Sequence, residues 1–136
     1  MLDLVGLAPY GDLMAKQIGV VQYDKRPWTL NSERRMHRME RAKLVKEWRE
    51  AFCWLARSNH LPKLECAIIL VQPCSKDKRL QDCDACHPAA KAAIDGLVDA
   101  GVLKTDGPKH LCEIRYLAPI MGSADSLTLI IFERTS

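Results

Sequence analysis

The sequence predicts an α/β domain of the α+β type, with one mixed β-sheet, two main helices and the order β-α-β-α-β-β. Three features predict it. Residues 33–58 carry an apolar stripe at helical spacing. Leu64 to Val71 is apolar at most positions on both faces, as in a strand buried centrally in a sheet. Two further β-rich runs, Leu111 to Ala118 and Ser126 to Glu133, flank the turn residues Gly122 to Asp125. At 136 residues the chain has room for one domain with one modest core.

Residues 1–14 show little pattern and read as an N-terminal extension, which leaves 15–136 as the domain. Ile18, Val20, Val21 and Tyr23 mark a first strand from Ala15 to Tyr23, broken by Lys25-Arg26-Pro27. Asn31 or Ser32 is placed to cap a long helix from about Glu33 to Ser58. Within it Val45, Trp48, Phe52 and Leu55 fall on one face, so Trp48 and Phe52 read as core. Trp28, outside that stripe, is free to face a ligand such as DNA. Asn59 and Pro62 end the helix, and Pro73 closes the strand that follows. A second helix runs from about His87 to Ala100, with Pro88 in its first turn and Gly101 at its exit. Its small residues, Ala89, Ala93 and Ala100 with Leu97, suit close packing on a sheet.

Hydrophobic residues at 48% and charged residues at 27% are ordinary for a globular protein. No apolar run is long enough for a membrane span and no secretory signal is visible, so the expectation is a cytoplasmic protein. The net charge of +3 is small, but its distribution is uneven. Arg34, Arg35, Arg38, Lys46 and their neighbours crowd the first helix, and Lys76, Lys78 and Arg79 precede an acidic pair, Asp82 and Asp84. Basic residues beside acidic ones suit a protein that grips phosphate and also holds a metal. The six cysteines read as free thiols or metal ligands in this setting, with Cys112 as a small strand hydrophobe.

Asp82 and Asp84 sit two apart in a segment expected to be extended, which turns alternate side chains toward one spot. Mg²⁺ takes hard oxygen ligands and keeps several waters, so two or three carboxylates suffice. Asp106, in the turn Thr105-Asp106-Gly107-Pro108, is the third candidate. The plainer reading is that an Asp-x-Asp before a helix merely favours the positive end of its dipole.

The wider string decides between these. Arg79-Leu80-Gln81-Asp82-Cys83-Asp84, then Lys91 and the helix ending Asp95-Gly96-Leu97-Val98-Asp99-Ala100-Gly101, then Asp106, resembles the RusA family of Holliday junction resolvases. Pro27-Trp28-Thr29-Leu30-Asn31 and Lys46-Glu47-Trp48-Arg49 resemble its N-terminal portion, so the resemblance spans residues 16–134. It implies a homodimeric, often phage- or prophage-encoded nuclease that cuts four-way DNA junctions with Mg²⁺ or Mn²⁺. By position, Asp82, Asp84 and Asp106 would be metal ligands and Lys91 the lysine of the site. Lys76, Lys78, Arg79, Arg34, Arg35, Arg38 and Lys46 would hold the DNA backbone.

The chain departs from the family pattern in three places. Ala85 stands where the family commonly has Asn, Cys86-His87-Pro88 lengthen the gap to Lys91, and Thr105 replaces an aspartate before Asp106. These departures thin the polar shell of the site and keep open a second reading, a catalytically inactive DNA- or protein-binding module. Asp106 also has far to travel. The second helix is about 20 Å long, and residues 102–106 must run straight back along it. Otherwise a partner subunit would have to supply that ligand.

Cys83-Asp84-Ala85-Cys86-His87 carries the letters of a c-type haem motif, which belongs to exported proteins. A small zinc site is the better rival: Cys83, Cys86 and His87, joined by Cys74, His110 or Cys112. His37 and His60 read as surface residues without partners.

Overall fold

The computed structural model describes residues 15–77 and 81–134; the extension at 1–14, and Lys78 and Arg79, lie outside them. Among the described residues the architecture is a mixed α+β domain with a five-stranded sheet and three helices.

β1 (Ala15–Tyr23) has the expected bounds. Its alternation turns Val21 and Tyr23 toward the helices, and a bulge between Gln17 and Gly19 shifts its register. The long helix expected from Glu33 is two helices. α1 (Leu30–Glu33) is capped by Thr29, not by Asn31 or Ser32. Thr29 Oγ1 accepts from the Ser32 amide at 3.2 Å and Ser32 Oγ accepts from the Thr29 amide at 2.9 Å. Glu33 then turns to the Trp28 indole N–H, 2.9 Å away. The chain closes a short turn through Met36 and restarts at α2 (Arg38–Ser58), whose first turn is capped by the His37 ring, Nδ1 accepting from the Met39 amide at 3.2 Å. His37 is thus exposed, as expected, yet has a structural role.

α2 buries Trp48 and Phe52, as the stripe predicts, with Ala56 beside them, while Val45 and Leu55 are half-buried against the same core. Trp28 does not face outward. It is 7% exposed and packs edge-on against Trp48 with centroids 5.7 Å apart. Tyr23 meets the same Trp48 edge-on at 4.9 Å, so the two aromatic residues flanking the Lys25-Arg26-Pro27 break both anchor α2 to the sheet.

β2 (Ala67–Ser75) starts three residues later than expected and runs through Pro73. Proline cannot donate to a ladder, yet here it costs little. On that side β3 (Leu111–Tyr116) pairs only as far as Val71, while β4 (Ile120–Met121) joins at Cys74, so Pro73 falls in the interval between them. β5 (Ser126–Arg134) lies antiparallel between β1 and β2, which gives the order β1-β5-β2-β3. β2 and β3 are parallel, and α3 (His87–Asp99) makes the crossover between them.

The helices cover one face of the sheet over Ala67, Ile69, Val71, Leu127, Leu129 and Ile131. The closest approach of α3 is to α2, at Gly96. A Cβ placed on Gly96 would lie 2.5 Å from the Arg49 carbonyl oxygen. The other sheet face carries a separate cluster of Ile68, Leu70, Ile130 and Phe132. Cys66 and Cys112, expected as free thiols, are bonded side by side where β2 and β3 begin, with Cα atoms 5.8 Å apart, within the disulfide range. Their spacing of 46 residues hides a juxtaposition that only parallel pairing creates. No helix among the described residues is long and apolar enough to cross a membrane.

Candidate metal and nucleic-acid site

The acidic pair lies on a turn, not on an extended segment. Ala85 N–H donates to the Asp82 carbonyl at 3.1 Å and His87 N–H to the Asp84 carbonyl at 3.0 Å, which winds residues 82–86 into the start of α3. The backbone is clipped from the other side as well, because Leu30 N–H donates to the Ala85 carbonyl at 3.0 Å. The start of α1 and the start of α3 therefore meet, and a cavity of about 450 Å³ opens between them. Asp82, Asp84, Arg34, Asn31 and Thr29 line it. Both carboxylates and Arg34 are exposed, and among the described residues none of the three has a side-chain hydrogen bond or ion pair. The two aspartates thus share a cavity although the backbone between them is turned and not extended.

Asp106 does return along α3. The chain after the helix is pinned by Val102 N–H to the Leu97 carbonyl at 3.0 Å and by Leu64 N–H to the Val102 carbonyl at 2.8 Å, with Val102 and Leu103 buried. It then carries Asp106 to Lys91, whose ammonium binds it. The same ammonium donates to Asp95 at 2.8 Å, one helical turn along. Desolvation works to lower the Lys91 pKa, but its hydrogen bonds to Asp106 and Asp95 outweigh this and hold it above the ordinary lysine value. The hydrogen bond from Lys91 and then its charge hold the Asp106 carboxyl below the usual range. Asp95 was not among the expected site residues, although its position four after Lys91 is the signal that finds it.

Two groupings result: Asp82 and Asp84 with Arg34, and Asp106 with Lys91 and Asp95. Among the described residues no group of three or more His, Cys, Asp or Glu side chains is arranged to hold a metal ion. Asp82 and Asp84 fit a divalent cation in chemistry, as hard, hydrated oxygen donors facing one cavity, and Mg²⁺ needs only one or two carboxylates beside substrate phosphate. Asp106 does not fit as a third ligand while Lys91 holds it.

Of the basic residues, Lys76 is exposed, and its amide is held by Asp125 Oδ1 at 3.0 Å. Arg34, Arg35, Arg38 and Lys46 are exposed and unpaired among the described residues. Arg38 and Lys46 border a groove of about 510 Å³ together with Arg41 and Arg49. Arg49 is committed to Asp99 by two hydrogen bonds of 3.0 and 2.7 Å. The remaining cations on that flank are available to an anionic partner.

The cysteines and histidines of the alternative zinc reading form no metal-ligating group among the described residues. Cys83 is exposed, while Cys86 is buried at the start of α3, where burial above all pushes its thiol up to about 11. The His87 ring lies 2.9 Å from the Tyr116 hydroxyl, His110 meets the Glu65 carbonyl at 3.1 Å, and Cys112 is bonded to Cys66.

Compared with known proteins, the chain matches no family model and no curated protein. The RusA resemblance therefore rests on the order and spacing of the residues quoted for it.

Proposed function

We propose that the chain is a structure-selective endonuclease of the RusA type, cutting branched DNA such as four-way junctions with Mg²⁺ or Mn²⁺. The observation that carries this reading is the cavity in which Asp82 and Asp84 stand open to solvent beside an uncommitted Arg34. The cation they would hold supplies Lewis-acid stabilisation of the phosphate and activation of a water. Arg34, planar and always charged, binds a phosphate oxygen at the mouth of the cavity. Arg35, Arg38, Lys46 and Lys76 hold the flanking backbone. Phosphate contacts carry no base information, so the substrate is chosen by branched shape rather than by sequence. A twofold dimer matches the near-twofold symmetry of a junction and offers one site to each of two strands. A DNA substrate of this kind places the work in the cytoplasm.

A second reading is favoured by one specific observation. Asp106, the expected third ligand, is neutralised by Lys91, which is what a binding module on the same fold would retain after losing its chemistry. The two readings separate in one assay on synthetic four-way, Y-shaped and linear DNA with Mg²⁺ or Mn²⁺. The nuclease cuts the junction, and Asp82→Asn or Asp84→Asn abolishes cutting while leaving binding intact. Salt-sensitive junction binding with no cutting by the wild type selects the silent module. Equal cutting by the wild type and both variants removes these carboxylates from the chemistry.

A further inference from the structure

The tryptophan free to meet a ligand is not Trp28 but Trp54. It is the most exposed large hydrophobic side chain among the described residues, at 67%, and it touches no other aromatic ring there. One exposed hydrophobe is ordinary; the surroundings of this one are not. Trp54 borders a groove of about 590 Å³ that it shares with Ala51, Leu55, Lys43 and Lys46. Lys46 also lines the neighbouring groove of about 510 Å³, which holds Arg38 and Arg41. The two grooves therefore adjoin along α2, cationic toward its start and aromatic further on.

We propose that Trp54 is a stacking platform for an unpaired stretch of DNA whose backbone follows Lys46 and Lys43 along α2. A duplex hides the faces of its bases and presents phosphates, which cations alone satisfy. An unpaired strand presents its bases too, and an indole covers the flat face of any of them whatever the sequence. This inference rests on the reading of the chain as a protein of branched DNA, and it narrows the substrate to branches with a single-stranded arm. Lys43 and Trp54 are eleven residues apart, close to three helical turns, and so share one side of α2. About 16 Å separates them along the axis, the length of about five stacked nucleotides.

Two carboxylates lie along the same track. Glu47 is answered within the chain, since Lys25 Nζ reaches both its oxygens at 2.7 Å and the Tyr23 hydroxyl donates to it at 2.6 Å. Glu50 has no partner among the described residues, but Lys43, Lys46 and Arg57 stand within about two turns of it on the same side of the helix. Arg57 donates to the Asp99 carbonyl at 3.2 Å and keeps its charge there. The face is cationic on balance, which suits a polyanion.

The chain has three tryptophans, and Trp28 and Trp48 are only 7% and 0% exposed, so iodide quenching reports on Trp54. The full chain, without divalent cation, is titrated with an oligothymidylate about 16 nucleotides long and separately with a blunt duplex of equal length. The single strand quenches the emission and shields it from iodide, whereas the duplex does neither. Trp54→Ala weakens single-strand binding roughly five- to hundredfold and leaves duplex binding unchanged. Trp54→Phe recovers most of that loss, and both variants melt as the wild type does because the side chain is exposed. Lys43→Ala flattens the salt dependence of single-strand binding by roughly 0.7 in slope.

A wild type that binds no single strand, or binds it without shielding the indole, overturns the proposal and leaves the groove to a protein partner. So does a Trp54→Ala protein that binds single strands as the wild type does, or that loses duplex binding equally. Cleavage plays no part in this readout. Single-strand affinity that depends on Trp54 without metal-dependent cutting removes the nuclease and keeps the platform; cutting with an indifferent Trp54 does the reverse.

Discussion

Replacing Gly96 by alanine sets two opposite effects against each other, and the structure says which wins. In an exposed helix the change stabilises by about 1 kcal/mol, because alanine loses less backbone freedom on folding than glycine. At Gly96 the added Cβ would lie 2.5 Å from the Arg49 carbonyl oxygen, 3.0 Å from the Cys53 amide nitrogen and 3.0 Å from Phe52 Cβ. Two of these are backbone atoms of α2 and cannot rotate away. A comfortable carbon–oxygen contact is about 3.3 Å, so the helices must part by roughly 0.8 Å. Overfilling a packed interior typically costs about 1–3 kcal/mol. Set against the propensity gain, the net loss reaches about 2 kcal/mol, or roughly 4–8 °C in Tm for a domain of this size. Thermal melts followed by circular dichroism, with urea midpoints beside them, measure this directly. A Gly96→Ala protein that melts at or above the wild-type temperature would refute the reasoning, since the close approach of α2 and α3 would then impose no constraint.

Two further predictions concern charge. Burial, then the hydrogen bond to Glu47, push the Tyr23 phenol from its ordinary 10.0 to about 12. Because the folded value is the higher one, the stability it contributes is present below pH 10 and is lost as pH rises toward 12; an absorbance titration should show a late phenolate step that Glu47→Gln moves downward, beside that of Tyr116, which burial also raises. Arg34→Ala should weaken junction binding for all sequences alike and flatten its salt dependence by about one ion, as removal of a phosphate contact does. An unchanged salt slope would place Arg34 off the DNA path.

Much of this architecture is legible in the residues, and the failures have identifiable causes. The bounds of β1 follow from alternation and from the Lys25-Arg26-Pro27 break, which are local signals. The core face of α2 follows from the spacing of Val45, Trp48, Phe52 and Leu55, the middle two fully buried and the outer two half-buried. The interruption before α2 was hidden because Glu33 to His37 are acceptable helix formers one by one. What breaks the helix there is long-range: Glu33 is drawn to Trp28, and the His37 ring begins a new cap. Pro73 ends a strand only where both neighbouring ladders are continuous, and here the ladder on one side is interrupted between Val71 and Cys74. Trp28 and Trp54 show the limit of reading aromatic residues from sequence. One lies outside the stripe and is buried, the other lies inside the helix and faces water. Asp82 and Asp84 could be picked out as a pair, but the meeting of α1 with α3 that forms their cavity could not, since it depends on a single clip from Leu30 to Ala85. The Lys91–Asp106 pairing depends likewise on how far the loop after α3 returns.

The position of β5 has a consequence for how the chain is assembled. β1 and β2 never touch as partners; each is zipped to β5, which is the last strand in chain order. While the polypeptide is being made, both earlier strands wait with open ladders until Ser126 to Arg134 slides between them. Helical segments and the pairing of β2 with β3 can form during that wait, but β1 cannot join the sheet without β5, so its closure is late, long-range and correspondingly slow. Any shortening of the chain within β5 should leave two unpaired strand edges rather than a smaller sheet, and aggregation rather than partial function is the expected result.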